Sequence, residues 1–288
     1  MNKKPISLNK IINTHYSKLT SKGKILAEFV SSNPDKAVFM TTRKLAAAVG
    51  VSEATVVRFV RQLNLPSYAV FIKALRDLID NELTLIERSR LANHIVHSDD
   101  ADLERITNQD IENIRAMSKN IDLSEVKKIK KILKKSETVY IIGSRLSYTP
   151  AYYMGWTLSK IRKNVTIFKG SDRTIIDRLI FASQKSAVVI IATSRYPNEL
   201  IKIGKLVKRY KLKMILLTDS SSCPLVQFSD HTLIAQLKTI PFLGNPASLI
   251  SLINYLVHTL AADMGEKLKD HQEKLEQAYL ENNILFNY

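Results

Sequence analysis

Cysteine is almost missing from this chain: one thiol, Cys223, in 288 residues. That excludes an internal disulfide and any zinc site built from several cysteines. Long apolar runs are missing as well. No stretch of about 18 uninterrupted apolar residues exists, so no membrane-spanning helix, and no membrane partner, is expected. The opening "MNKKPISLNKIINTHYSKL" has lysines but no apolar core of the secretory kind, and the plainest expectation is a cytoplasmic protein. Acidic residues are scarce beside basic ones, 27 against 43, for a net charge of +16. An apolar content of 45% and a charged content of 24% otherwise fit a soluble globular protein with room for one large domain or two ordinary ones.

What is present is unevenly spread. Residues 1–80 hold 13 basic and 5 acidic groups, so about half of the excess charge lies in about a quarter of the chain. A basic module of that size suggests phosphates as partners, with a lysine-rich solvated surface as the plain alternative. The module reads as a run of short helices. "TSKGKILAEFVSSNPDKA" offers a Thr20/Ser21 cap, then Ile25, Leu26, Phe29 and Val30 at helical spacing, then "NP" as a stop. "TTRKLAAAVG" opens on Thr41/Thr42 and closes on Gly50, a residue type that tolerates a left-handed helix end. "VSEATVVRFVRQLN" begins at a Ser52 cap and puts Val56, Phe59, Val60 and Leu63 on one face.

Two short helices around a glycine turn make a helix-turn-helix if they cross steeply, and Ala46 is small enough to allow the approach. Ser52, Glu53, Thr55 and Arg58 are then expected to face outward from the start of the second helix. Such a helix end fits a major groove, with amides and hydroxyls on phosphates and an arginine on a guanine edge. Thr42, Arg43, Lys44 and Arg61 complete the predicted DNA-binding set. The plain alternative is a small helical packing domain. The stretch "LTSKGKILAEFVSSNPDKAVFMTTRKLAAAVGVSEATVVRFVRQLNLPSYAVFIKAL" resembles the N-terminal domain of the RpiR family of bacterial transcription regulators, whose "gvS.aTvvRf.kkLg" pattern it follows nearly throughout. Asn64 and Ser67 stand where that pattern has glycine. The resemblance implies operator binding.

Residues 81–136 read as a helical linker of near-balanced charge. "DLSEVKKIKKILKKSE" is a helix capped by Asp122 or Ser124, and its lysines read as a solvated face in preference to a DNA contact. His94 and His97 lie on adjacent turns but have no carboxylate or cysteine partner in sight, so a surface pair, not a metal site, is expected.

From Glu137 the period changes. "TVYIIG", "NVTIF", "AVVIIATS", "KMILLTD" and "HTLIA" are short β-branched runs separated by helical segments such as "PAYYMGWTLSKIRK" and "NELIKIGKLVKRYK". That alternation predicts an α/β domain over 137–288, a parallel sheet with flanking helices, behind an all-α domain over 1–80. Ligands in such sheets collect at the carboxyl ends of strands. Two loops qualify: "GSRLSYTPAYY", where Ser147 or Thr149 is placed to cap a helix, and "TSRYPNELIK", with Ser194 ahead of Pro197 and Asn198. Residues 137–262 look like a sugar isomerase (SIS) domain, and "TDSSSCPLVQFSDHTLIA" follows its pattern through Pro224, Leu225 and Asp230. The resemblance implies a sugar-phosphate site on a "GxGxS" and an "SxSGxT" loop. Gly143 and Ser147 match the first and Ser194 the second, while Arg145 and Arg195 replace glycines and Ala192 and Pro197 replace a serine and a threonine.

Those exchanges leave three readings: the arginines hold a more anionic effector, the loops still hold the usual sugar phosphate, or the arginines fill a pocket that no longer senses it and the domain serves as a dimer scaffold. The predicted ligand set is Gly143, Arg145, Ser147, Ser194, Arg195 and Asn198. No catalytic residue, metal or cofactor is expected. Glu199 and His231 are conceivable bases for a sugar-phosphate isomerase, but no acid–base pair is marked. The tail from "NPASLISLINYL" onward reads as a long amphipathic helical region, and a homodimer or higher homo-oligomer is expected from it and from paired operator half-sites.

Overall fold

The computed structural model describes residues 8–82, 86, 100–170, 172–237 and 245–284. The chain divides into two compact units, residues 1–97 and 98–288.

The first unit is helical: α1 (Leu8–His15), α2 (Ser21–Ser32), α3 (Pro34–Ala37), α4 (Thr42–Val49), α5 (Glu53–Gln62) and α6 (Tyr68–Glu82). Its core gathers Leu26, Val30, Leu45, Val56, Phe59, Leu63, Phe71 and Leu75, with Phe59 edge-on to Phe71 at a centroid distance of 6.0 Å. Ile25 departs from the expected apolar face of α2 and is 49% exposed. The buried stripe of that helix is Gly23, Leu26, Ala27 and Val30, and one residue back around the helix, a 100° step, carries Ile25 out of it.

The second unit is built on β1 (Val139–Gly143), β2 (Val165–Lys169), β3 (Ala187–Ala192), β4 (Lys213–Thr218) and β5 (His231–Ile234). The strands pair in parallel in the order β2-β1-β3-β4-β5. The central strands β1, β3 and β4 are covered on both faces, so no alternation with polar residues is needed there, while the edge strands β2 and β5 are mostly half-buried. Residues along each strand then feed two different cores. Ile141, Val189, Ile191, Ile215 and Leu217 face one side, with α7 (Asp100–Asn120), α8 (Leu123–Lys135), α9 (Tyr148–Ser159) and α12 (Ala247–Ala262). Ile142, Val188, Ile190, Met214 and Leu216 face the other, with α10 (Thr174–Ile180) and α11 (Asn198–Arg209).

Helices α7 and α8, read from sequence as part of a linker, contribute Met117, Val126, Ile129 and Leu133 to the sheet's own core. Most of 81–99, with His94 and His97, lies outside the described residues. The tail is two helices. α12 is buried along Leu249, Leu252, Ile253 and Leu256, and α13 (Glu266–Glu281) leaves it at 109°. The turn passes through Gly265 at φ 57°, a conformation that disfavours any side chain. Among the described residues no single helix is long and apolar enough to cross a membrane.

Close packing of α9 on the edge strand depends on Gly155, where a Cβ would lie 2.2 Å from Ile167 Cγ1. Gly155→Ala is therefore expected to cost about 1–3 kcal/mol by overpacking. Chemical denaturation of the single variant and of Gly155→Ala/Ile167→Val should show part of that loss recovered in the double.

Candidate DNA-binding helix and effector loops

The turn between α4 and α5 is assembled from small polar devices. Thr41 caps α4, its hydroxyl accepting from the Lys44 N–H. Gly50 closes the helix at φ 70° and ψ 35°, and the Val51 N–H reaches back to the Ala46 carbonyl at 2.9 Å, a left-handed C-terminal closure suited to glycine. Ser52 then caps α5, accepting from the Thr55 N–H at 3.3 Å. The Thr42 hydroxyl donates to Glu53 at 2.8 Å, tying the starts of the two helices together.

This geometry corrects one expectation. Thr55 does not face outward: it is 8% exposed, and its hydroxyl lies 2.9 Å from Ser52 Oγ and accepts from Arg58 at 3.5 Å. Both groups at the cap need a partner once the helices close, so the hydroxyl is used within the turn. Arg43, Lys44, Ser52, Glu53, Arg58 and Arg61 are exposed and Thr42 is half-buried. The sequence reading missed the apolar members of the same face. Ala54 is exposed and Val57 is 39% exposed, and with Arg58 and Arg61 they form an i, i+3, i+4, i+7 stripe on α5. Helical spacing alone marks that stripe. Methyl groups between arginines suit contacts to thymine methyls between guanine edges.

In the second unit the loops after β1 and β3 leave adjacent strands, at the point where the strand order reverses, the usual ligand position in an open α/β sheet. Gly143 is required by close approach: a Cβ there would lie 2.3 Å from the Ser147 carbonyl oxygen. Ser147 is buried, and its hydroxyl accepts from the Thr193 N–H at 3.0 Å and lies 3.0 Å from the Thr193 hydroxyl. Neither Ser147 nor Thr149 caps α9, which starts without a side-chain cap. The expected Ser147 cap is lost to the contact across the sheet. Ser194 gives its N–H to Asp219 at 2.8 Å and its hydroxyl to the same carboxylate oxygen. Tyr196 donates to the other oxygen at 3.0 Å. Burial first, and then Asp219, hold the Tyr196 phenol protonated far above its ordinary range. Ser144 donates to Glu199.

Arg145 and Arg195 are exposed, with φ of 54° and 64°. Asn198 is the exposed first residue of α11, which also lacks a side-chain cap. The geometry thus brings the two loops together but spends the hydroxyls of Ser147 and Ser194 on Thr193 and Asp219. His231 begins β5 and does not follow it, so it lies at the opposite, amino edge of the sheet, where it meets Glu125 of α8 at 2.7 Å. Asp219, Thr193 and Ser144 escaped the sequence reading, although each directly follows a strand that could be located.

Residues 6–82 match the helix-turn-helix domain of the rpiR family, and residues 132–262 match the SIS domain. The chain belongs to the RpiR family. It is a transcription regulator carrying a helix-turn-helix domain and a SIS domain. An HTH-type regulator of Clostridium perfringens is 26% identical over 75% of this chain and 77% of its own. HexR of Escherichia coli is 24% identical over 94% of this chain and 92% of its own. Among solved structures, NanR of Vibrio vulnificus shares the fold with a TM-score of 0.61 and 20% identity, covering 96% of this chain and all of the other. The sugar isomerase domain of an RpiR factor from Sphaerobacter thermophilus has a TM-score of 0.58 and 18% identity over 60% of this chain and 97% of that one.

Set against the RpiR helix-turn-helix pattern for Asn64 and the SIS pattern for Arg145 and Arg195, each replaces a glycine, and all three keep a positive φ, 58° at Asn64. The backbone retains a shape suited to glycine while the side chains have changed. Asparagine tolerates it; arginine is strained there. The cap network gives a direct check on the first unit. Ser52→Ala is expected to lower stability by about 1 kcal/mol in urea denaturation, and Asn64→Ala by a similar amount, whereas Asn64→Gly should be close to neutral.

Proposed function

We propose that this regulator reads an operator with the exposed face of α5 and senses an anionic metabolite, a phosphorylated sugar or a related anion, at the loops after β1 and β3. Arg58 is assigned to a guanine edge. Arg43, Lys44, Arg61, Thr42 and Ser52 are assigned to phosphates and Glu53 to positioning. Thr55 acts through Arg58 and the cap. The observation that carries the effector site is the pair of exposed arginines on glycine-shaped backbone, on adjacent loops at the sheet's reversal point. Holding arginine at positive φ costs about 1–2 kcal/mol, a strain that persists most readily where the charge is used. Gly143 and Ser147 shape the first loop, Arg145 and Arg195 supply charge, and Ser194 and Asn198 supply donors. NanR was solved with ManNAc-6P and an Escherichia coli protein of the same fold with A5P, which supports a sugar phosphate as the first class to try.

Asp219 sets the threshold of this site. Its carboxylate already occupies the Ser194 N–H and hydroxyl, so an incoming anion must compete with it or bind beside it. An effector that frees Ser194 from Asp219 moves the loop leading into α11, which gives the sheet two states for an allosteric response. We infer that target genes belong to carbohydrate metabolism and that the working form is a homodimer on paired half-sites.

Catalysis is disfavoured by the same geometry. Glu199 accepts from Ser144, and His231 is at the wrong end of the strands for a base at these loops. The second reading, a scaffold without effector, rests on the same latches: both serine hydroxyls already have partners within the chain.

Thermal unfolding across a panel of phosphorylated sugars separates the two. A true effector at about 100 times its Kd adds about 2.7 kcal/mol, while no shift from any anion favours the scaffold. Arg145→Gly is expected to raise stability by about 1 kcal/mol or less, through release of the positive φ, and to abolish the anion response. On DNA, Arg58→Ala should cost about 1–3 kcal/mol on the operator and little on random duplex. Lys44→Ala should weaken both and flatten the salt dependence.

A further inference from the structure

The greatest concentration of positive charge is not in the helix-turn-helix. Residues 123–237 hold 21 Lys+Arg against 7 Asp+Glu, a larger excess than that of residues 1–80. The parallel topology sorts these charges by end. Segments leading into the strands (134–138, 160–164, 183–186, 208–213 and 229–230) hold ten basic and two acidic residues. Segments leaving the strands on the effector side (144–149, 169–174, 193–199 and 219–224) hold four basic and three acidic. The sheet is nearly balanced at one end and strongly cationic at the other.

At the cationic end eight of the ten basic side chains are exposed, while Lys160 packs on Trp156 and Tyr279 and Arg162 donates to the Leu133, Ser136 and Glu137 carbonyls. Lys135, Lys163, Lys185, Arg209, Lys211 and Lys213 are all exposed. The acidic residues there are already occupied: Glu137 lies 3.5 Å from Lys185, Asp230 accepts from the Met214 N–H at 2.8 Å, with Lys213 at 3.8 Å, and Glu125 meets His231 at 2.7 Å and Lys128 at 3.1 Å. Among the described residues Lys135, Lys163, Arg209 and Lys211 have no ion pair. Like charges crowded on one face repel one another, and an external polyanion relieves that repulsion. Lys211 adds a second sign. It sits at φ 55°, just past the end of α11, where glycine or asparagine is the favoured choice, so a cation is kept at some local expense.

We propose that the amino-end face of the SIS-domain sheet is a second nucleic-acid surface, which grips the phosphate backbone of duplex DNA without reading its sequence. Five strands at about 4.8 Å spacing make the face about 19 Å wide. A duplex carries one charge per about 1.7 Å of axis, so about eleven phosphates lie along that width. The face thus adds a salt-sensitive contribution to affinity on any sequence, separate from the α5 readout. It takes from the proposed function only that duplex DNA is the partner.

The test uses the full chain and a random-sequence duplex of about forty base pairs, titrated at several salt concentrations. One variant carries Lys135→Gln, Lys163→Gln, Lys185→Gln and Lys211→Gln; a second carries Lys44→Ala, Arg58→Ala and Arg61→Ala. The first should lower the slope of log affinity against log salt by about two or more, at about 0.9 per lost phosphate contact, with an unchanged melting temperature. The second should retain salt-dependent binding, which the combined seven-residue variant loses. Lys211→Gly alone should weaken binding with no loss of melting temperature, because its backbone already suits glycine. An unaltered slope in the first variant, with all binding lost in the second, overturns the inference and leaves the α5 readout intact. Absence of any duplex binding by the unsubstituted chain overturns both, and a clear preference for duplex RNA overturns the assignment of the partner.

Discussion

Ser147 and Thr193 are 46 residues apart in the chain and joined by two hydrogen-bonding contacts at 3.0 Å. They meet at the one place where the strand order turns back on itself, between β1 and β3. The rest of the second unit serves that meeting. Parallel pairing sends every loop on this side out of a strand's carboxyl end, and two buried cores hold β1 and β3 in register from Val139↔Ala187 to Gly143↔Ile191. Gly143 lets the first loop fold back on itself, and Asp219 at the end of β4 steadies the second through Ser194 and Tyr196. The proposed effector site is therefore a seam between two strands, closed by hydroxyls and flanked by arginines.

On the proposed reading, the same seam suits sensing better than turnover. Catalysis on a sugar phosphate needs a base free to reach a substrate carbon. Here the nearby carboxylates, Glu199 and Asp219, are engaged by serines, and the histidine is at the other edge. On the proposed reading the seam has two states, open and shut. A bistable contact of that kind converts a difference in ligand affinity into a difference in shape.

Much of the architecture was legible because it rests on local patterns. The five strands announce themselves as β-branched runs, and the α4–α5 turn as a threonine cap, a glycine and a serine cap. What escaped depended on partners distant in sequence. Thr55 reads as an outward hydroxyl until the Ser52 cap and Arg58 take it inward. Ser147 reads as a helix cap because nothing local reveals Thr193. The short helix α10 has too few residues for a clear period, and the 109° turn at Gly265 lies hidden in a tail whose helical spacing continues on both sides. Helices α7 and α8 look like a bridge because an amphipathic face does not name the surface it covers. The exchange of glycine for arginine was plain in sequence, but the retained left-handed backbone was not.

The central claim is that duplex binding in the first unit is coupled to anion binding in the second. The most direct measurement is the affinity for a genomic duplex with and without saturating phosphorylated sugar at fixed ionic strength. Coupling of the usual size for allosteric proteins changes that affinity by about 5–150-fold. An affinity that stays constant for every anion that binds the protein would contradict the account.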